Sequence, residues 1–303
     1  MKFNSHGGVS VFELIVYFPA ITVAAIVCSR HGFNRSSGWI FTLILCLVRI
    51  IGACCQLATY HSETKGLLEA IIILDSIGMS PLLLATLGLL SRCADSTADS
   101  SPGIFKAIHF RLLQLLITVG LILCIVGGTS STSSTGKYVP QTTTKAGVVL
   151  YLLALFAICM LTVVVTHKLS NAPSRDKWLA WAVILAIPFI FVRLIYSLIS
   201  VFAHSSHFNL LTGSIAIRVC MAILEEMAVV LIYLAVGWKA EILTSSKRGP
   251  IASRVWKGNL DGGKAGQPGH GRRRRQGSIH ALVGAGIAKV QERKQQGPEM
   301  SGP

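Results

Sequence analysis

The stretch Trp178–Phe202, WLAWAVILAIPFIFVRLIYSLISVF, decides the fold of this protein. It is long enough to cross a bilayer core, which takes roughly 20 apolar residues. It carries a single charged side chain, Arg193. Because a lone segment in hydrocarbon must satisfy its own backbone hydrogen bonds, this stretch is predicted to be a transmembrane helix.

Further runs of the same kind occur along the chain. The predicted transmembrane helices are seven: Val9–Cys28, Gly38–Tyr60, Leu67–Leu90, Ala107–Gly128, Ala146–Thr166, Trp178–Phe202 and Gly213–Gly237. Hydrophobic residues make up 52% of the 303-residue chain and charged residues 14%, whereas a soluble domain carries about 25% charged residues. The composition excludes a water-soluble fold. We therefore expect an all-α, polytopic membrane bundle of seven transmembrane helices.

Positive charge alternates between the connecting segments. The first, third and fifth connections and the segment after Trp238 hold most of the lysines and arginines, whereas the sixth connection has none. By the positive-inside rule, the N-terminus is outside and the C-terminus is cytoplasmic. The first run begins after one lysine and is followed by Arg30 and Arg35, which is the reverse of a cleaved secretory signal.

Composition divides the chain into two parts. Residues 1–238 hold the seven runs, and residues 239–303 are glycine-rich and basic, with four consecutive arginines at Arg272–Arg275. Such a segment cannot bury enough apolar surface to fold, so we predict a disordered cytoplasmic tail. Membrane topology explains the net charge of +15 better than a nucleic-acid partner does. The expected partners are membrane lipids, with anionic headgroups at the tail, and no nucleic acid.

Ionisable side chains inside the predicted helices are the most informative feature for function. Each costs about 2.5 to 3.5 kcal/mol at the bilayer centre when it is unpaired. Such side chains occur at Glu13, Arg49, Asp75, Arg193, Arg218, Glu225 and Glu226. Glu225 and Glu226 are neighbours and point about 100° apart, so both cannot face one partner on the same side.

Helical spacing places several polar side chains on common faces. Arg49 and Gln56 are seven residues apart, as are Arg218 and Glu225, and residues at this spacing share a helix face. We expect Arg49, Arg193 and Glu225 to face one interior site that is reached from the outer side. The candidate ligand-binding residues are Arg49, Gln56, Asp75, Arg193, Arg218 and Glu225.

The same charged side chains have a purely structural interpretation. They would then be interhelical pairs that hold the bundle together and bind no ligand. The sequence does not decide between the two interpretations.

Catalytic signatures are missing from the sequence. A catalytic zinc site needs several histidines or carboxylates at one depth, but the three histidines that collect on the outer side, His61, His204 and His207, lie at helix ends or in a loop. The chain also lacks a Gly-x-Ser-x-Gly motif, a phosphate loop and a nucleotide fingerprint. We expect no metal, no cofactor and no catalytic residue.

Several phrases occur together and in a fixed order along the helices. They are Tyr17-Phe18-Pro19, Arg30-His31-Gly32-Phe33, Gly38-Trp39, Gly78-Met79-Ser80-Pro81-Leu82-Leu83-Leu84-Ala85-Thr86-Leu87-Gly88 and Pro188-Phe189-Ile190-Phe191-Val192-Arg193-Leu194-Ile195-Tyr196-Ser197. In these phrases the chain resembles a family of fungal seven-helix integral membrane proteins that is described only as a domain of unknown function. The resemblance covers roughly Val9–Trp238. It implies the architecture and a fungal source, and it supplies no catalytic residue.

The functional expectation is a protein that binds or moves a small or lipid-like molecule within the helix bundle, as a transporter or a receptor-like sensor. One alternative is an intramembrane lipid-modifying enzyme, which the missing histidine cluster disfavours. The other is a structural membrane scaffold, in which the polar side chains only fix helix packing.

Overall fold

The described part of the chain is built from apolar helices, as the hydropathy pattern predicts. The computed structural model describes residues 5–31, 38–61, 64–98, 107–129, 141–169, 177–203 and 215–240, and no strand occurs among them. The helices are α1 (Ser5–His31), α2 (Trp39–Ala58), α3 (Lys65–Ile77), α4 (Met79–Ala98), α5 (Ala107–Thr129), α6 (Thr142–Leu169), α7 (Lys177–Phe202), α8 (Ile215–Arg218) and α9 (Leu224–Lys239), with a π-helical turn at Val219–Ile223.

Seven stretches of the described chain are long and apolar enough to cross a membrane, so the predicted all-α membrane bundle is confirmed. Spans 1 to 7 are Gly7–His31, Trp39–Ala58, Gly66–Asp95, Ile108–Thr129, Thr142–His167, Lys177–Phe202 and Ala216–Lys239. Each overlaps a predicted helix, and the largest difference is at the end of span 3, which was predicted at Leu90 and observed at Asp95. Residues 241–303 lie outside the described residues, so the disorder of the tail stays a prediction.

Contacts at the helix ends show that successive spans run in opposite directions. At one end of the bundle, Lys145 near the start of span 5 lies 5.8 Å from the ring of Phe202 at the end of span 6. At the other end, Lys239 at the end of span 7 lies 5.7 Å from the ring of Trp178 at the start of span 6. We call the end at which spans 1, 3, 5 and 7 begin side A, and the opposite end side B.

Span 3 lies at the centre of the bundle. Of its most apolar stretch, 72% is buried, compared with 28% to 39% in the other six spans, and α4 packs against α2, α5, α6 and α7. Large apolar side chains on the other spans point outward, such as Ile15, Phe156 and Val163, which are 60% to 66% exposed. Such an apolar exterior is what lipid surroundings favour.

The backbone of span 3 is interrupted between α3 and α4. Pro81 has no N–H group to donate to the carbonyl of Ile77 four residues earlier, and its ring clashes with that carbonyl in a regular helix. The Ser80 hydroxyl donates a hydrogen bond of 3.1 Å to the Ile77 carbonyl instead. Gly78 lies at this interruption, in the half of span 3 that is closer to side A.

Close helix contacts depend on small residues at both ends of the bundle. At side B, a Cβ on Gly237 of span 7 would lie 2.7 Å from the Trp39 ring of span 2. Toward side A, a Cβ on Gly147 of span 5 would lie 2.6 Å from the Cys124 sulfur of span 4. Glycine lets these helices approach closely, which is how membrane helices gain packing contacts.

Candidate functional site

The site is centred on a buried ion pair between spans 2 and 7. Arg49 donates two hydrogen bonds of 2.5 Å to the carboxylate of Glu226, one from Nε and one from Nη2. The two residues are 5% and 0% exposed. A bidentate guanidinium–carboxylate pair is among the strongest polar contacts, and burial demands it because an unpaired charge at this depth is costly.

Arg193 of span 6 joins the same carboxylate from a third helix. Its Nε donates a hydrogen bond of 2.7 Å to Glu226 Oε1, and its Nη1 donates one of 2.8 Å to the Ser197 hydroxyl. Its Nη2 donates a hydrogen bond of 3.3 Å to the backbone carbonyl of Asp75 in span 3. The guanidinium also lies 5.7 Å from the ring of Tyr196. Arg193 therefore links spans 3, 6 and 7.

Asp75 is held less closely than Glu226. Its carboxylate accepts one hydrogen bond of 3.1 Å from Arg49 Nη1. The guanidinium groups of Arg193 and Arg218 approach it only to 3.7 and 3.9 Å, which is longer than a hydrogen bond. Three arginines thus converge on one aspartate. We call Arg49, Asp75, Arg193, Arg218 and Glu226 together the charge cluster.

The π-helical turn of span 7 sets which glutamate faces the charge cluster. In a regular α-helix, Arg218 would share a face with Glu225, seven residues later. The turn Val219–Ile223 lies between them, and a π-helical turn takes up about one extra residue. The residue that returns to the face of Arg218 is therefore the eighth, Glu226. Turns of this kind are frequent at functional sites.

Gly78 makes room for the ion pair at the interruption of span 3. A Cβ at this position would lie 3.0 Å from Arg49 Nη2 and 3.4 Å from Glu226 Oε1. A side chain here would press against the guanidinium, so the glycine fits the close approach of the span 3 backbone to the pair.

A cavity with both apolar and polar side chains in its lining borders the charge cluster between spans 3, 4, 5 and 6. Its volume is about 30 Å³, which is room for about two water molecules. We call it the hydroxyl cavity, because the polar groups that line it beside Asp75 and Arg193 are the hydroxyls of Ser76, Thr144, Tyr151, Tyr196, Ser197 and Ser200.

A smaller cavity borders the charge cluster on its other flank, between spans 1, 2 and 7. Its volume is about 10 Å³, and its polar lining includes Glu13, Gln56 and Arg218. The Oε1 atom of Glu13 and the Nε atom of Arg218 are buried and have no hydrogen-bond partner among the described residues. We call it the span-7 cavity. Both cavities lie in the half of the bundle toward side A, since their lining comes from the side A halves of the spans.

The structure brings together four of the six candidate residues proposed from sequence. Arg49, Asp75, Arg193 and Arg218 meet in the charge cluster, and Gln56 lines the span-7 cavity. Glu225, which the heptad spacing placed in the shared site, is instead half-buried beside it, and its Oε2 atom has no hydrogen-bond partner among the described residues. Among the described residues, Glu226 is the glutamate that contacts Arg49 and Arg193, because the π-helical turn rotates it into that place. A ligand contact of Glu225 stays a prediction.

Sequence reasoning missed two carboxylates at the site. Regular helical geometry favours Glu225 over Glu226, and hydropathy carries no signal for a π-helical turn. The sequence marks Glu13 as an ionisable residue inside span 1, but only the fold brings it beside Arg218 in the span-7 cavity.

Within the described ranges, no group of three or more histidine, cysteine, aspartate or glutamate side chains could hold a metal ion. His61 lies at the side A end of span 2. His204 and His207, which the sequence placed near it, lie outside the described residues.

The comparisons with known proteins give a family and nothing more specific. No curated protein and no solved structure matches the chain. The family model described as "Domain of unknown function (DUF7702)" matches residues 3–243. This match agrees with the resemblance drawn from the sequence phrases, whereas the fungal source stays a prediction. Because the match covers well over half of the chain, the protein belongs to the DUF7702 family of unknown function.

Proposed function

We propose that the protein binds or moves a small or lipid-like molecule within the bundle, as a transporter or a receptor-like sensor, and that the ligand reaches the charge cluster from side A. Ionisable residues in membrane spans commonly mark ligand or ion pathways. Here they line two cavities in the half of the bundle toward side A. If side A is the outer side, as the charge pattern predicts, the ligand arrives from outside.

The observation that carries this proposal is the incomplete pairing of Arg218. Its side chain is 15% exposed, its contact with Asp75 is 3.9 Å, and its Nε atom has no hydrogen-bond partner among the described residues. A buried polar atom without a partner calls for an explanation. Arg49, by contrast, donates three hydrogen bonds to the two carboxylates of the cluster. Arg218 is instead placed to donate to a polar or anionic group of a ligand.

The scaffold alternative is supported by a different part of the same cluster. Arg49 and Arg193 together donate three hydrogen bonds to Glu226, and these contacts join spans 2, 6 and 7. Different residues of the charge cluster thus serve the structural role and the ligand-binding role. The Glu226 contacts stabilise the bundle, and the loosely held groups around Arg218 and Asp75 meet the ligand.

Co-purification tests the ligand-binding proposal. The full-length parent, Arg218→Gln and the control Arg30→Gln are purified in mild detergent, and the bound molecules are identified by native mass spectrometry. Arg30 is a suitable control because it lies at side B, where it contacts Trp238. We expect a molecule that the parent and Arg30→Gln retain and that Arg218→Gln loses while staying folded. Equal retention by Arg218→Gln, or a parent that carries only bulk lipid and detergent, would contradict the proposal.

A further inference from the structure

The hydroxyl cavity presents hydrogen-bond donors that the protein itself does not use. The Thr144 side chain is 2% exposed, and its Oγ1 atom has no hydrogen-bond partner among the described residues. The buried Oγ atom of Ser200, across the cavity on span 6, is in the same situation. A buried hydroxyl without a hydrogen-bond partner is rare in a folded protein, unless water or a ligand provides that partner.

Arg193 adds charge to this lining. Its guanidinium group has five N–H donors, of which three donate to described residues, namely Glu226, Ser197 and the Asp75 carbonyl. One N–H on each terminal nitrogen remains. Arg193 is 2% exposed, so these two donors lie where solvent does not compete with a bound group.

The beginning of α6 supports the same polarity. Thr144 is in the first turn of this 28-residue helix, whose first backbone N–H groups have no carbonyl partner within the helix. The start of a long helix carries a partial positive charge that stabilises anions. The start of α6 therefore adds to the attraction for an anion that the Thr144 hydroxyl and the Arg193 guanidinium supply.

Among the described residues that line the hydroxyl cavity, Asp75 is the one with a negative charge. It lies within 4 Å of Arg49, Arg193 and Arg218. Its charge is thus shared by three cations, and Glu226 is engaged by two of the same three. Arg193 therefore supplies the positive charge in the lining of the hydroxyl cavity, whereas Glu13, a third carboxylate near these arginines, lines the span-7 cavity.

From these contacts we propose that the hydroxyl cavity binds a small monovalent anion, of the size of a halide ion or the carboxylate group of a short acid. The volume of about 30 Å³ admits about two water molecules, which suits a small ion. The donors are Arg193, Ser200 and Thr144. The inference rests on the proposed function, because it assigns a ligand class to the same side A half of the bundle.

The test measures the thermal unfolding midpoint of the full-length protein in detergent at constant ionic strength. Sodium gluconate, whose anion is too large for the cavity, is replaced stepwise by sodium chloride, sodium bromide or sodium acetate. We expect a saturable rise of the midpoint by several degrees, since a ligand that binds only the folded state stabilises it by mass action. A rise with both halides identifies a halide site, and a rise with acetate alone identifies a carboxylate site. No saturable rise with any of the three anions would overturn the proposal.

Matched variants localise the effect. Thr144→Val removes a cavity hydroxyl, whereas Thr162→Val makes the same change on the same span at a buried position away from the cavity. The anion response should be lost in Thr144→Val and kept in Thr162→Val. Ser200→Ala, a smaller change, should also weaken the response and serves if Thr144→Val does not fold. An equal response in all variants would place the anion elsewhere and overturn the proposal.

If the anion response is missing while an organic molecule still co-purifies through Arg218, this inference fails and the proposed function stands.

Discussion

Arg49 and Glu226 lie 177 residues apart in the chain and form a bidentate ion pair near the middle of spans 2 and 7. The contact holds two helices together where lipid offers no polar partner. Because Arg193 shares the same carboxylate, the pair also fixes span 6. The contacts of Glu226 therefore form the rigid part of the charge cluster, whereas Asp75 and Arg218 are held more loosely.

Breaking the pair from one side should destabilise the bundle strongly. Arg49→Leu leaves Glu226 with one arginine instead of two, and losing one partner of a buried pair costs about 3 to 5 kcal/mol. The double variant Arg49→Leu/Glu226→Leu should recover part of this lost stability, because it also removes the buried Glu226 carboxylate that Arg49→Leu leaves with too few partners. The measurement is unfolding of each purified protein in detergent. A double variant as unstable as the sum of both single variants would show that the pair is not coupled.

The register of span 7 can be tested with two neighbouring glutamates. Glu226→Gln removes the charge that engages Arg49 and Arg193 and should destabilise the protein by several kcal/mol, about as much as a broken buried pair. Glu225→Gln removes a half-buried charge that has no ion-pair partner among the described residues. We expect it to change stability by less than about 1 kcal/mol. The opposite order in thermal unfolding would mean that span 7 follows a regular α-helical register.

Gly78 should not tolerate a methyl group. Gly78→Ala would place a Cβ 3.0 Å from Arg49 Nη2, so the guanidinium must move to make room. Overpacking of this kind costs about 1 to 3 kcal/mol. Gly66→Ala is the matched control on the same helix, since nothing lies within 4 Å of a Cβ there and alanine favours a helix by up to about 1 kcal/mol. Equal unfolding midpoints for the two variants would show that Gly78 does not limit the space around the pair.

The N-terminus should be outside and the C-terminus in the cytoplasm, because lysine and arginine concentrate in the odd-numbered connections and in the segment after Trp238. Epitope tags at the two ends, exposed to protease in sealed right-side-out membranes, check the orientation. The N-terminal tag should be cleaved and the C-terminal tag protected. The reverse pattern would also reverse which side of the membrane the charge cluster faces.

The segment after residue 240 should bind anionic lipid. The arginines at Arg272–Arg275 follow a span end that is predicted to be cytoplasmic, and each can contribute about 1 kcal/mol near an anionic surface. A peptide of residues 241–303 should prefer vesicles that contain phosphatidylserine to neutral vesicles at low salt. A control peptide with these four arginines replaced by glutamine should lose much of the preference. Equal binding of the parent peptide to both vesicle types contradicts the electrostatic basis.

The amino-acid sequence by itself determined the seven spans and the helical class. Hydrophobicity is a property of each segment alone, and in lipid a lone segment has to form a helix. The sequence also determined that Arg49, Asp75 and Arg193 lie inside the bundle, because a lipid-facing charge is too costly at that depth. These results need no knowledge of how the helices pack.

Only the tertiary structure decided which charges meet. The choice of Glu226 over Glu225 depends on the π-helical turn at Val219–Ile223, which changes the rotation of the helix without changing its hydropathy. Likewise, the unpartnered hydroxyls of Thr144 and Ser200 come to line one cavity only when spans 5 and 6 pack together. Pairing and cavity shape are set by contacts between distant segments, and a local pattern of apolar and polar residues does not specify those contacts.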